Sequence, residues 1–258
     1  MTRTEIVCRC LILAVVAAGA VHAGPAERPD ARTAWLVPPG LQLFHESTKW
    51  RDGEIEYRGR SVVEHGEPVE LDARELHPQH LEFTLVMADG RATGSRVTAY
   101  YSVADSLVCS VGIRVDDEPV EFEEQPYVDL RGPLTPGARW RYRTRMYPRD
   151  VDGSAELTWT VETEVVADAT EATVPAGTFE GCLHTLERAR TSDVATLRGG
   201  ANVGRRVRLE STTDRWWYPG LNAVRETSTE RTIAADASGD VLAEHRYRSE
   251  LVRVEERR

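Results

Sequence analysis

Strict two-residue alternation near the middle of the chain is the feature that most constrains its fold. Between residues 139 and 146 every second residue is an arginine, and the residues between them are Trp140, Tyr142, Thr144 and Met146. Successive side chains of a β-strand point to opposite faces of a sheet. This pattern therefore predicts a strand with one apolar, aromatic face and one cationic face.

A second alternating stretch predicts the partner of this strand. After the turn-rich residues 148–153, Trp159 lies on an apolar parity, and the other parity is rich in glutamate and threonine. An antiparallel hairpin satisfies both faces, with Arg139 opposite Glu162 and Tyr142 opposite Trp159. Such cross-strand pairs contribute roughly 0.2–1 kcal/mol each. A slip by one residue would bury the arginines, so the alternation specifies the register only to within steps of two residues.

Further alternating runs extend this interpretation to most of the chain, and no long stretch has helical periodicity. We expect a mainly β protein with a flexible linker over residues 24–34, an N-terminal lobe over 35–130 and a C-terminal lobe over 131–258. The turn-like segment Leu130-Arg131-Gly132-Pro133 marks the boundary between the lobes. Pro-Gly pairs at 39–40 and 136–137 each open a series of strands, which is either an internal repeat or a coincidence.

The N-terminus predicts export. Arg3 and Arg9 flank a polar start, an apolar run follows over residues 11–20, and Ala23 has the small-residue position of a cleavage site. The run is too short to span a bilayer as a helix. We therefore expect a signal peptide over residues 1–23, and a periplasmic or secreted mature protein that begins at Gly24 and has no transmembrane segment. An uncleaved membrane anchor is the alternative.

The charge pattern excludes several classes of function. The formal net charge is −10, and the arginines are interleaved with carboxylates. A nucleic-acid-binding protein usually has a basic stripe, so we expect no nucleic-acid partner. Lys49 is the only lysine, which excludes a Walker-type phosphate loop and argues against lysine Schiff-base chemistry.

Three short motifs resemble a group of bacterial exported β-rich proteins. Residues 174–179 read Val-Pro-Ala-Gly-Thr-Phe, residues 133–142 fit Pro-Leu-x-x-Gly-x-x-Trp-x-Tyr, and residues 217–224 approach Trp-Tyr-x-Pro-Gly-x-Gly-x-Val. Asn222 stands where that group has glycine, and asparagine tolerates the left-handed conformation that a turn requires. The group is similar to LolA-like half-barrels. The resemblance therefore implies a strongly curved antiparallel sheet that cups an apolar ligand, and it implies no catalytic residues.

Few residues suggest a disulfide, a metal site or a catalytic site. Cys109 and Cys182 remain after export, and they either form one disulfide or stay as two buried thiols. His77 and His80 flank Pro78, which favours a surface loop over a zinc site. Asp150, Asp152 and Glu156 loosely resemble a calcium loop, but the segment lacks the further oxygen ligands and lies in a predicted hairpin turn. We expect no metal and no cofactor, and we find no recognisable nucleophile motif.

These observations lead to three hypotheses of function. The first is a non-catalytic protein of the cell envelope that binds an apolar or lipid-like small molecule on a concave sheet face. Its candidate ligand residues are Trp140, Tyr142, Trp159 and Trp217. The second is a docking module for an envelope protein partner, and the third is a hydrolase without a recognisable motif.

Overall fold

A computed structural model describes residues 30–146, 157–198 and 202–256. The predicted signal peptide and the segment that contains Asp150 and Asp152 lie outside these residues. The described chain forms one short helix, α1 (Ala31–Trp35), and fourteen strands: β1 (Leu41–Arg51), β2 (Glu54–His65), β3 (Val69–Leu71), β4 (Arg74–Met87), β5 (Ala92–Ala104), β6 (Leu107–Val115), β7 (Glu121–Arg131), β8 (Arg139–Met146), β9 (Leu157–Val174), β10 (Gly177–Thr191), β11 (Ala195–Thr196), β12 (Arg206–Tyr218), β13 (Asn222–Ala234) and β14 (Val241–Glu256). In the described part of the chain, no helix is long and apolar enough to cross a membrane.

Twelve strands form one antiparallel sheet in the order β7-β6-β5-β4-β2-β1-β14-β13-β12-β10-β9-β8, and the short strands β3 and β11 pair with β4 and β12. The sheet curves until it is nearly closed into a barrel, which confirms the predicted mainly β fold with a strongly curved sheet. Strands β1 to β7 and strands β8 to β14 form two consecutive meanders, joined by the pairing of β1 with β14. The boundary expected near Pro133 falls in the connection between these meanders, and the sheet is continuous across both.

The two end strands of the sheet, β7 and β8, meet without a ladder of main-chain hydrogen bonds between their described residues. Side chains join them instead. Thr144 Oγ1 donates to the Gln125 carbonyl oxygen at 3.0 Å, and Arg145 Nη1 donates to Glu124 Oε2 at 2.9 Å. We call this junction the β7–β8 seam.

The predicted hairpin forms from β8 and β9, but its register differs by one step of two residues. Arg139 lies opposite Glu164 rather than Glu162, and Tyr142 lies opposite Val161 rather than Trp159. The faces are unchanged because the shift is even, and Arg139 Nη2 donates to Glu164 Oε1 at 2.9 Å. A shift by two residues leaves every side chain on the same face, so the alternation cannot distinguish the predicted register from the observed one.

Helix α1 occupies residues that the sequence assigned to a flexible linker. Asp30 Oδ1 caps it by accepting a hydrogen bond from the Thr33 main-chain N–H at 2.6 Å. The Ala31 N–H donates to the Asp105 carbonyl, and the Thr33 carbonyl accepts from the Gly220 N–H. Trp35 is buried against the ring of Tyr101, with centroids 4.5 Å apart. The helix therefore connects the β5–β6 turn with the β12–β13 turn and is part of the folded core.

The turns predicted from the motifs are present. Val174 pairs with Gly177 across the β9–β10 turn, and Gly177 has a φ of 138°, a conformation that favours glycine. Asn222 has a φ of 60°, so the departure from glycine preserves the left-handed turn. Its Oδ1 accepts a hydrogen bond from the Ala223 N–H at 2.8 Å.

Apolar side chains form several clusters on the inner face of the sheet. A main cluster includes Leu43, Phe83, Val97, Cys182, Val224 and Leu251. What we call the α1 cluster includes Trp35, Tyr101, Trp140, Val165, Leu183 and Trp217. The β9–β12 cluster includes Leu157, Trp159, Val161, Ala189, Val207 and Leu209.

The two cysteines are free thiols, so the disulfide alternative is wrong. Cys182 lies in the main cluster, whereas Cys109 packs with Tyr100 and Val111 in a separate small cluster. Burial raises the pKa of Cys109 to about 11 and that of Cys182 to about 12. Both therefore remain protonated and act as small apolar side chains.

Candidate functional site

All four aromatic residues proposed as ligand contacts lie on the inner face, but they are packed against other side chains. Trp140 and Trp217 belong to the α1 cluster, and Trp159 belongs to the β9–β12 cluster. The three indoles are at most 6% exposed, and Trp217 Nε1 donates to Thr185 Oγ1 at 2.8 Å. Tyr142 packs against both clusters. These residues form walls of the interior rather than an open apolar cup.

A band of polar residues separates the α1 cluster from the β9–β12 cluster. On β12, Arg215 lies on the same face as Trp217 of one cluster and Leu209 of the other, because alternate residues of a strand share a face. Glu187 on β10 lies in the same way between Leu183 and Ala189. The interior is therefore layered, with charges between two apolar layers.

Arg215 is the centre of this band and is only 3% exposed. Its Nε donates to Glu226 Oε2 at 2.9 Å, its Nη1 to Glu187 Oε2 at 3.3 Å and its Nη2 to the Tyr127 hydroxyl at 3.2 Å. The Tyr127 hydroxyl in turn donates to Glu187 Oε2 at 2.5 Å. We call these four residues the Arg215 network. Each nitrogen of the guanidinium group has an oxygen partner within it.

The network joins both halves of the sheet. Arg215 and Glu226 are cross-strand partners on β12 and β13, and Glu187 comes from the adjacent strand β10. Tyr127 comes from β7, on the other side of the β7–β8 seam, and its ring packs edge-on against Tyr142 of β8 with centroids 5.7 Å apart. The network therefore spans the seam from the inside.

Two further carboxylates of β7 extend the network. Burial raises the pKa of Asp129 to about 7 against the attraction of Arg215, and the charges of Glu187 and Glu226 raise it further. Burial likewise raises the pKa of Glu226 to about 7, although Arg215 opposes this shift. Glu123 accepts hydrogen bonds from the Ser110 hydroxyl and the Tyr127 N–H, yet burial still raises its pKa. Four carboxyl groups therefore surround one arginine here, and burial favours the protonated form of three of them.

Several polar atoms in this band are fully enclosed, and none has a hydrogen-bond partner among the described residues. They are Glu226 Oε1, Asp129 Oδ2, Thr163 Oγ1, Tyr142 Oη, Trp140 Nε1 and Trp159 Nε1. Thr163 is the cross-strand neighbour of both Glu187 and Trp140 and is 1% exposed. Glu226 belongs to the network, and Asp129, Thr163 and Tyr142 neighbour its residues, whereas the two indoles lie in the apolar clusters on either side. Together the atoms offer both donors and acceptors.

A second buried polar group lies on β1, β2 and β14. Lys49 Nζ is 2.7 Å from Glu56 Oε2, and His245 Nδ1 is 3.4 Å from the same oxygen. Burial would raise the pKa of Glu56, but the hydrogen bonds of His245 and Lys49 outweigh it and lower the pKa far below its usual range. The Glu56 carboxylate therefore stays ionised and is matched by Lys49, as expected for a structural ion pair.

The histidines do not form a metal site within the described chain. His77 and His80 lie in strand β4 rather than in the expected loop, and residues three apart in a strand point to opposite faces. His77 is buried and His80 is exposed. Nowhere in the described ranges do three or more His, Cys, Asp or Glu side chains form a group that could hold a metal ion.

The sequence analysis missed the Arg215 network, although a signal was present. Arg215 shares the parity of Trp217 and Leu209, and Glu187 shares that of Leu183. A charged residue on the apolar parity of a strand is a candidate for a buried charge, which is uncommon unless the charge is paired. That signal identifies the residues one by one but does not show that they meet.

No family model and no curated protein matches the chain. Two crystal structures resemble it over most of its length. One is a Bacteroides fragilis protein with a YmcC-like fold that is considered to be exported. It is 11% identical, the match covers 86% of this chain and 98% of that chain, and the TM-score is 0.38. The other is a Parabacteroides distasonis protein considered to be a lipoprotein, at 12% identity, 88% and 100% coverage and a TM-score of 0.46. At these identities and TM-scores the likenesses carry no functional argument.

Proposed function

We propose that this is an exported, non-catalytic protein of the cell envelope that binds a small polar molecule beside the Arg215 network. The observation that carries the proposal is the set of enclosed, unpartnered polar atoms in the described part of that band. The predicted export signal supports the location. The sequence contains no recognisable nucleophile motif, which supports binding rather than catalysis.

The energetic cost of those atoms argues that they have a partner in the cell. An unsatisfied buried donor or acceptor costs about 1–3 kcal/mol. The six atoms together would then cost about as much as the entire free energy of unfolding of a typical domain, about 5–15 kcal/mol. Native proteins satisfy such groups with protein atoms, ordered water or a ligand, and we propose a ligand because several of them lie beside one buried network.

A polar ligand is better supported than the apolar ligand expected from the sequence. An apolar molecule in this band would leave the carboxylate and hydroxyl oxygens without hydrogen bonds. The indoles that were to hold it are packed against the protein's own side chains. A small polar molecule uses the same interior and satisfies the unpartnered atoms.

Native mass spectrometry of the mature protein, purified without denaturation from the envelope fraction, tests this proposal. We expect a bound small molecule on the wild-type protein and on the control Thr212→Val, since Thr212 lies on the exposed face of β12. Thr163→Val keeps the shape of the side chain but removes its hydroxyl. Loss of one hydrogen bond should weaken retention of the ligand by about threefold to tenfold.

A different result would refute the proposal. If all three proteins carry no small molecule, the proposed function is wrong. A higher melting temperature of Thr163→Val would then identify the hydroxyl as an unsatisfied group in a structural network. The docking-module hypothesis would then take the place of ligand binding.

A further inference from the structure

We infer that the ligand of the Arg215 network carries a cationic amine. This inference rests on the proposed function, because it names the chemical class of the same ligand. It follows from the charges of the band and from the particular atoms that are left without partners.

Carboxylates outnumber cations on this part of the inner face. Glu123 and Asp129 come from β7, Glu187 from β10 and Glu226 from β13, whereas the band's cation is Arg215. Lys49, the chain's only lysine, is engaged by Glu56 at 2.7 Å. A buried carboxylate without a matching cation is unfavourable and takes up a proton instead, which is why the pKa values of Asp129 and Glu226 are raised. An added cation would let these carboxyls ionise.

Three of the unpartnered atoms are oxygens that can accept hydrogen bonds from an additional cation. Glu226 is 7% exposed and uses Oε2 for Arg215, and its Oε1 is enclosed without a partner in the described chain. The same holds for Oδ2 of Asp129 and for the Thr163 hydroxyl oxygen. An ammonium group has three donors and no acceptor, so it matches two carboxylate oxygens and one hydroxyl.

Other ligand classes fit less well. An anion would find no free donor on Arg215, because each nitrogen of its guanidinium already has an oxygen partner. A neutral polyol could form hydrogen bonds but would offer no opposite charge to an ionised Asp129 or Glu226. A cation can both donate hydrogen bonds to the unpartnered oxygens and pair with these carboxylates once they ionise.

The raised pKa values of Asp129 and Glu226 agree with this account. The other titratable groups that face them are Arg215, Glu187, Glu123, Cys109 and three tyrosines. Burial raises the pKa of Cys109 to about 11 and that of the tyrosines well above 10, so these groups stay neutral. The three tyrosines are Tyr101, Tyr127 and Tyr142. A bound ammonium would favour the ionised carboxyls, so binding should release protons and strengthen as pH rises.

Isothermal titration calorimetry with three four-carbon probes tests the inference. The probes are putrescine, the neutral 1,4-butanediol and the dianion succinate. We expect the full mature chain to bind putrescine but neither of the others. Putrescine should bind about tenfold more tightly at about pH 8 than at about pH 6 for each carboxyl that must ionise.

Two variants that each remove one carboxylate test whether putrescine binds beside Glu226 and Asp129. Glu226→Gln keeps the size of the side chain and should weaken putrescine binding by about tenfold or more, and Asp129→Asn should act in the same direction. Glu210→Gln removes the same charge from the exposed face of β12 and should leave binding unchanged. Circular dichroism shows whether each variant is folded.

The outcomes separate this inference from the proposed function. Equal binding of butanediol and putrescine, or binding of succinate, overturns the amine class while leaving a polar ligand in place. Failure of putrescine to bind also overturns the amine class, whatever mass spectrometry finds. A bare protein in native mass spectrometry, by contrast, overturns the proposed function itself.

Discussion

Replacing Asp129 with asparagine should make the stability of the protein less dependent on pH. The pKa of this carboxyl is raised from 3.8 to about 7, so the folded protein holds a proton that the unfolded chain releases. Its contribution to stability is fully present below the pKa of the unfolded chain and is lost as pH rises through about 7. Asparagine cannot ionise and removes this contribution.

The magnitude follows from the size of the shift. One extra proton in the folded state changes the free energy of unfolding by about 1.4 kcal/mol per pH unit. The full shift from 3.8 to about 7 corresponds to a ceiling of about 4 kcal/mol. Glu226 acts in the same direction, whereas Glu56, whose pKa is lowered, loses its contribution as pH falls. Because Glu226 and Glu56 are present in both proteins, the difference in unfolding free energy between wild type and variant reports on Asp129.

Urea unfolding followed by tryptophan fluorescence, at intervals between about pH 5 and pH 8, measures this difference. Relative to the wild type, the slope of stability against pH in the variant should be less negative by about 1.4 kcal/mol per pH unit around pH 5 to 6.5. Asp117→Asn, at an exposed position, is the matched control and should leave the slope unchanged. Parallel curves for the wild type and Asp129→Asn would show that Asp129 is ionised in the folded protein and would refute the reasoning.

Two further predictions concern the hairpin and the N-terminus. Trp159→Ala should destabilise the protein by about 3–5 kcal/mol, because the indole is buried in the β9–β12 cluster. Arg141→Ala on the exposed face should cost less than about 1 kcal/mol, and equal losses in urea unfolding would contradict the assignment of faces. N-terminal sequencing of protein from the envelope fraction should find Gly24 first, and a protein that still begins at Met1 would refute the signal peptide.

The sequence was sufficient for the strands and their faces but not for even shifts of register. The arginines of β8 are exposed, and Trp140, Tyr142 and Thr144 face inward, as the pattern predicts. The choice between Glu162 and Glu164 as the partner of Arg139 depends on the ends of the strands, which alternation does not define. Helix α1 was missed because five residues are too few to show a helical period.

Proline misled the interpretation of residues 74–82. Pro78 indicated a loop, yet it lies in β4 with its carbonyl accepting from the Gly66 N–H at 2.9 Å. A proline lacks only the donor of a ladder, so its carbonyl can still take part in pairing. Although proline is generally rare in strands, Pro78 lies within one.

The candidate site lay beyond sequence reasoning for a different reason. The parity of Arg215 and Glu187 indicates that each faces the interior. Their contact with Tyr127 arises only because the sheet closes on itself and brings β7 near β12. Parity describes one strand at a time, whereas this contact depends on the curvature of all twelve.

The β7–β8 seam has a consequence for how the molecule opens. Eleven residue pairs hold β1 against β14, whereas only side-chain contacts join the described parts of β7 and β8. We therefore expect the two meanders to separate at the seam while the β1–β14 pairing stays intact. Tyr127 then acts as a latch, since its hydroxyl holds β7 to Glu187 across the opening. Tyr127→Phe removes that latch and should speed amide hydrogen exchange in β7 and β8 while sparing β1 and β14. Uniform exchange in all four strands would contradict a latch of this kind, whereas exchange confined to β7 and β8 would show that the molecule opens first at the seam.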